Sequence, residues 1–466
     1  MTSLTREIAD FIAENSYEQI PERAVAVAKE AILDGMGCIL AGSVEPVSRT
    51  ITEYVKELGG NPEATVIAGG FKTSAPQAAL ANGTLAHALD YDDVSFTWIA
   101  HPTVVLLPPV LALGEHYNAS GREVLAAYIL GFEIAARIGS VIIPHHYDIG
   151  WHATATLGTI GAATAAARIL KLNSQQTRMA LGIAASLAGG MRQNFGTMTK
   201  PFHAGNASKN GVVAAILASK GMTADENILE GPSGFCAIWG PGDEGLAKAT
   251  QSLGNPWELV TTGMILKPYP CCRETHREID AILHLREEHN INAEDVAEVR
   301  CITNAITPQI LRHHRPKTAL EGKFSMEYCM AVALLDGKVG LAQFTDKRVS
   351  EPRAQELLTR VKYIHPPGEI GIEAELKSPI TITVKLKDDS EYSHEVMIGR
   401  GEPEEPMTDE QRFEKYRECA HTCLSEKNTE RSLELLTNLE TMENIEELMK
   451  IVKFPERSGL DADGKI

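Results

Sequence analysis

The sequence predicts a mainly α protein. A large, discontinuous all-helical domain, residues 1–266 and 401–456, is expected around a smaller α+β domain, residues 267–400. Three observations predict this. Apolar residues recur at helical spacing through the first 265 residues, in tracts dense in Ala and Gly. From Lys267 onward the pattern turns to period-two alternation. The helical run after residue 400 is too short to bury a core alone, so it is expected to pack back onto the first part.

Ile8, Phe11 and Ile12 mark a first amphipathic helix, with Ile20 at its exit. Val25, Val27, Ala28, Ala31, Ile32 and Met36 mark a second within 24–40. The tracts 153–170, 178–188 and 210–220 are rich in small residues, which let helices approach closely. A strand is read at Val296, Glu298, Arg300 and Ile302. Ile380, Ile382, Val384 and Leu386 alternate with polar residues, turn residues follow at 387–390, and Tyr392, His394, Val396 and Ile398 alternate again, so an antiparallel hairpin with one buried face is predicted. Helices are expected at 274–288, 324–336 and 341–361, the last interrupted before Pro352. Residues 399–411 read as a linker. Asp409 is then read as the cap of a helical stretch 410–451, broken near Lys427–Asn428, and 457–466 as a disordered tail.

The length of 466 residues fits two or three domains. With 44% hydrophobic and 23% charged residues, the composition is that of an ordinary globular chain. The net charge of −18 excludes a broad basic footprint for nucleic acid or anionic membrane. An anionic small molecule stays compatible if basic side chains cluster locally. The eight cysteines are scattered through mostly apolar runs, and no disulfide framework is read, so a reducing compartment, the cytoplasm, is expected. The start carries no signal-peptide pattern. The longest apolar tracts, 103–114 and 153–167, do not read as membrane spans.

No Walker A loop, strand–GxGxxG–helix unit or GxSxG elbow is present. Cys419, His421 and Cys423 would scatter around a helix axis, and no metal site is expected there. The pairs His145–His146 and His313–His314 read as surface or loop histidines.

Chemistry concentrates in five segments. NGTLAHALDYDDVSFTWIAHP (82–102) brings His87, Asp90, Asp92, Asp93 and His101 into one stretch. On a helix His87 and Asp90 would share a face, and neighbouring acids and bases shift each other's pKa as proton transfer requires. The plainer alternative is that the aspartates cap helices and hold loops. FGTMTKPFHAGNASKNG (195–211) carries Lys200, His203 and Lys209 among small residues; Lys200 precedes Pro201 and is expected in extended chain, suited to a carboxylate or simply solvated. MILKPYPCCRETH (264–276) places Lys267, Arg273 and His276 at the change of composition, where the basic groups would grip carboxylates or form a salt bridge. GWHATATLG sets His152 at a helix start. KFSMEYCMAVALLDG puts Tyr328 on an apolar helix, where a phenol needs a partner and is often just a satisfied core residue. Together the segments describe a pocket for a polyanion with acid/base groups and no cofactor. Proton abstraction beside a carboxylate needs fixed cations to stabilise the enediolate.

In this order the five segments resemble the MmgE/PrpD family, over roughly residues 5–455. That family includes 2-methylcitrate dehydratase, cis-aconitate decarboxylase and iminodisuccinate epimerase. The resemblance implies a helical domain with an α+β lid domain, a homodimer and an active site between the domains. It implies catalytic roles for Asp90, His101, His152 and Tyr328, substrate binding by Lys200 and Lys267, and no metal or other cofactor. Arg273 and His203 join the substrate-binding candidates from the reading of their own segments. Val94 stands where the decarboxylase pattern has threonine, and the Asp90-to-His101 spacing is one residue longer, which leaves Ser95 or Thr97 as the replacing hydroxyl. The expected activity is a cofactor-independent lyase on a small di- or tricarboxylate. An epimerase using His101 and His152, and a non-catalytic carboxylate binder, are the alternatives.

Overall fold

The computed structural model describes residues 3–241, 245–304, 307–364 and 378–453. The chain divides into two compact units: Met1–Asn194, Met198–Met264 and Thr408–Ile466 in the first, Phe195–Thr197 and Ile265–Met407 in the second.

The first unit opens with α1 (Leu4–Glu14), α2 (Glu22–Gly42) and α3 (Pro46–Leu58). Ser3 caps α1 by accepting from the Arg6 N–H, and Ile8 and Ile12, one turn apart, enter the core. A two-residue ladder, β1 (Ala64–Thr65) with β2 (Lys72–Thr73), precedes α4 (Ala75–His87). There follow α5 (Thr103–His116), α6 (Gly121–Ile142), α7 (Ala153–Ile169), α8 (Ser174–Leu187) and α9 (Thr199–Ser219).

Helix α9 packs on α4, α5, α7 and α8, and its glycines set how closely. A Cβ on Gly83 of α4 would lie 2.8 Å from the Gly205 Cα, and one on Gly205 would collide with the Leu80 carbonyl oxygen and the Thr84 hydroxyl. The two backbones therefore touch, and this contact fixes the start of α9 beside the end of α4.

Among the described residues, α6 is long and apolar enough to cross a membrane by length and composition, a stretch the sequence reading passed over. It is nearly all buried within the protein. Its Glu133 and Arg137 pair at 2.8 Å, Arg137 reaches Glu258 at 2.7 Å, and Glu133 accepts the Glu258 N–H at 2.7 Å. Buried charges need such partners.

The second unit is built on a mixed sheet. Strands β3 (Val296–Ile302), β4 (Val361–Ile364), β5 (Ile380–Leu386) and β6 (Glu391–Val396) lie in the order β4–β3–β5–β6. The predicted hairpin is β5–β6, with Ile380 opposite Val396 and Val384 opposite Tyr392. Helices α10 (His276–Glu288) and α11 (Met326–Asp336) bury their apolar faces with it, around Ile279, Ile282, Met330, Val299 and Ile382. The chain then returns to the first unit as α12 (Asp409–Ala420), α13 (Glu426–Thr437) and α14 (Glu446–Val452), and α12 packs on α2.

Four local expectations need correction. Val361 does not end a helix; it opens β4, whose parallel pairing sets Val361 against Val299 of β3, far away in the chain, and leaves no local mark. Thr408, not Asp409, caps α12, closing a capping box with Gln411. The next break falls at 421–425, because Ser425 caps α13 and draws Lys427 and Asn428 into its first turn. His146 is fully buried and contacts the Thr156 hydroxyl at 2.9 Å; it is not a surface residue. The tail 457–466 lies outside the described residues.

Gly205→Ala should destabilise the protein. Alanine gains up to about 1 kcal/mol of helix propensity over glycine. The obstructing Leu80 oxygen is backbone and yields little, so overpacking of roughly 1–3 kcal/mol prevails. The midpoint of urea unfolding measures this, and an unchanged or raised midpoint would contradict the contact.

Candidate active site

The loop between α4 and α5 carries the site. Helix α4 ends at His87, and Asp90 turns out of it at φ +54°. His87 and Asp90 therefore do not share a helix face, contrary to the sequence reading. The turn brings Asp92 back to His87 instead. His87 Nδ1 lies 2.9 and 3.0 Å from the two Asp92 oxygens. A two-residue bridge, Ser95 with Ala100, then closes a tight excursion that returns the chain to His101. The His101 N–H donates to the Thr154 hydroxyl of α7 at 3.0 Å.

His101 Nδ1 lies 2.8 Å from Asp92 Oδ2, in contact but out of line for a straight hydrogen bond. Asp92 thus stands behind two imidazoles at once, with the ring centroids 4.4 Å apart. With both rings protonated on Nδ1, their Nε2 atoms carry the lone pairs. His101 Nε2 lies 3.8 Å from Asp90 Oδ1, and Lys200 Nζ donates to that same oxygen at 2.6 Å. His87 Nε2 is buried without a hydrogen-bond partner among the described residues.

Lys200 is not in extended chain. It lies in the first turn of α9, because Pro201 there lacks only an N–H that a helix start leaves unbonded. One turn on, His203 Nδ1 meets His152 Nδ1 at 3.1 Å. His152 stands at the start of α7, as the sequence suggested, with no side-chain capping bond. His87 and His152 rings lie 6.2 Å apart. So His87, Asp90, Asp92, His101, His152, Lys200 and His203 come together inside the first unit.

Burial dominates the protonation of the histidines. It pushes His101 down to about 3 and His203 to about 4, lowers His87, and takes His152 well below its ordinary value. Asp92 opposes the shift at His101, while His87 and Lys200 reinforce it. Burial would raise Asp92, but the two imidazoles hold it well below the usual carboxylate range. The resting state is thus one ionised carboxylate between neutral imidazoles. Asp93 points elsewhere. It accepts the Thr103 N–H at 3.0 Å and bonds the Thr103 hydroxyl, which meets Tyr128 at 2.5 Å. Burial raises it to about 8, with the Asp92 and Asp34 charges adding.

The sequence reading missed two supports. Lys415 of α12 donates to the Tyr91 carbonyl at 2.9 Å and pairs with Asp34 of α2 at 2.6 Å, all buried. A lysine and an aspartate on buried helical faces were the available signal. Thr154, inside the GWHATATLG segment, was read only as a small residue.

Lys267, Arg273 and Tyr328 belong to the second unit. Lys267 is almost fully buried. Arg273 is paired with Glu402, and the Tyr328 hydroxyl donates to the Gln343 carbonyl, so the phenol is held as a satisfied core group. His276 Nε2 lies 3.2 Å from the Cys271 carbonyl. Lys209 is partly buried on α9. Val94 and Ser95 are buried within the loop, and Thr97 is partly exposed.

Comparison with known proteins decides the family. The profile of the MmgE/PrpD N-terminal domain matches residues 6–245, and that of the C-terminal domain residues 269–441. The chain belongs to the MmgE/PrpD family. Among curated members, the cis-aconitate decarboxylase of Homo sapiens is 28% identical over 98% of this chain and 95% of its own. That of Aspergillus terreus (strain NIH 2624 / FGSC A1156) is 28% identical over 98% of each. The 2-methylcitrate dehydratase of Cupriavidus necator is 23% identical over 78% of this chain and 77% of its own. Both domains of the family are thus present in one chain, and the acid/base cluster lies within the N-terminal one.

Asp93 gives a test of the electrostatics. Its folded pKa of about 8 exceeds the ordinary carboxylate value near 3.9, so its contribution to stability is complete below about pH 4 and is lost as pH rises through 8. Asn mimics the protonated acid, so Asp93→Asn should flatten the fall in melting temperature between pH 5 and 8. Parallel falls in the two proteins would contradict a buried, protonated Asp93.

Proposed function

We propose that this protein is a cofactor-independent lyase acting on a small di- or tricarboxylate, with a cis-aconitate-type acid as the first candidate. The observation that carries the reading is the shared carboxylate: Asp92 contacts Nδ1 of both His87 and His101, with Lys200 and Asp90 beside them. The full-length likeness to decarboxylases, against a partial one to the dehydratase, favours a cis-aconitate-type acid over a 2-methylcitrate-type one.

Asp92 keeps the His101 proton on Nδ1, so Nε2 is the atom that exchanges protons with substrate. Neutral in the resting protein, His101 becomes more basic when an anionic substrate enters, because the added negative charge favours imidazolium. In a dehydration Nε2 takes the proton from the carbon next to a carboxylate, and hydroxide leaves from the neighbouring carbon. In a decarboxylation the bond to the departing CO2 leaves its electron pair on carbon, and protonated His101 returns a proton there. Lys200 supplies positive charge to a substrate carboxylate, and Asp90 holds the lysine in place until substrate arrives. His152, coupled to His203, is the second acid/base group. The roles of Lys267 and Tyr328 rest on the family resemblance, and that of Arg273 on the reading of its own segment. We further propose a homodimer working in the cytoplasm; the eight cysteines, all buried and none in a disulfide among the described residues, support a reducing compartment.

An epimerase would use the same base without losing a group, and the pair His101 and His152 is the observation in its favour. Proton NMR of EDTA-treated protein in D2O separates the readings, with cis-aconitate, 2-methylcitrate, citrate and iminodisuccinate in separate tubes. Consumption of one acid with a new product is expected. Loss of an α-proton signal without a new product would replace the lyase by the epimerase. His101→Ala should lower kcat by at least about 10²-fold with the fold intact by circular dichroism. A fully active variant would remove His101 from the chemistry.

A further inference from the structure

Zinc-class cations take nitrogen and oxygen ligands at about 2.0–2.2 Å, and a ligating imidazole usually donates its second ring N–H to a carboxylate. His87 and His101 already stand in that arrangement. The Nδ1 atoms of both rest against Asp92, which leaves both Nε2 atoms as donors. His87 Nε2 is buried and has no hydrogen-bond partner among the described residues. His101 Nε2 lies 3.8 Å from Asp90 Oδ1. One donor atom each from His87, Asp90, Asp92 and His101 lies within 4.8 Å of the other three.

We propose that His87, His101 and Asp90 form an inhibitory site for a zinc-class divalent cation, with Asp92 behind both imidazoles. Lys200 is its competitor. Its ammonium, 2.6 Å from Asp90 Oδ1, supplies the positive charge the cation would bring, so the two exclude each other. A bound cation takes the His101 Nε2 lone pair and displaces Lys200, which removes both the base and the carboxylate anchor. The site is then a metal-sensitive brake rather than a resident cofactor centre. Because binding needs no turnover, the proposal stands or falls apart from the identity of the substrate.

Isothermal titration of the metal-free, full-length protein with zinc chloride at pH 7.5 tests this. One zinc per chain is expected, with affinity at least about tenfold weaker in His101→Gln and in His87→Gln. Lys200→Met should bind at least about tenfold more tightly, a gain that misfolding cannot imitate. His421→Gln, at the surface pair with Glu426, should leave the titration unchanged. No binding at millimolar zinc would overturn the proposal. So would equal affinity in wild type, His101→Gln and Lys200→Met, which would assign the zinc to adventitious surface groups.

Discussion

The arrangement depends on one carboxylate. Asp92 is buried in a place where a lone charge would be expensive, and it is tolerated there because two imidazoles turn their Nδ1 atoms toward it. That single carboxylate hydrogen-bonds His87, holds His101 Nδ1 in contact, sets the closeness of the two rings, and directs both Nε2 atoms away from itself. The turn at Asp90, the Ser95–Ala100 bridge and the Thr154 bond to the His101 backbone all serve to bring the two histidines to the same side chain.

Elsewhere in the first unit, buried acids are met by basic side chains. Asp90 is met by Lys200, Asp34 by Lys415, and Glu133 and Glu258 by Arg137. Asp93 is the exception, met by neutral donors, and burial keeps its proton on. A strongly acidic chain thus places Lys200 and four histidines in one hydrogen-bonded cluster without a broad basic surface. The glycine contact between α4 and α9 is the mechanical counterpart, since it lets a lysine at one helix start reach the loop that leaves the other.

Much of this was legible in the residues. Helical spacing located the long helices, and alternation located β3 and the β5–β6 hairpin, because each is amphipathic on its own. Strand β4 was hidden because four residues at a sheet edge owe their form to a distant partner. The acid/base segments were visible by composition, but their pairings were not. His87 was matched with Asp90 on the assumption of a continuing helix, whereas the helix stops at His87 and the partner is Asp92. Lys200 was placed in extended chain by the rule for residues before proline, which yields within a first helical turn. Lys415 was invisible as a site support because its contact lies 324 residues away at Tyr91.

That last contact has a bearing on how the protein comes into being. Synthesis runs from the N-terminus at about 5–20 residues per second. The loop that holds Asp90 and Asp92 leaves the ribosome early, but the lysine that clamps its Tyr91 carbonyl is among the last helical residues to be made. Asp34 waits for the same lysine on the buried side of α2. Through most of translation Asp34 therefore lacks its lysine, while residues Ile265–Met407 of the second unit are produced. The support of the acid/base loop is completed late in the life of the nascent chain, and a chain that stops short of α12 lacks the lysine that holds the Tyr91 carbonyl.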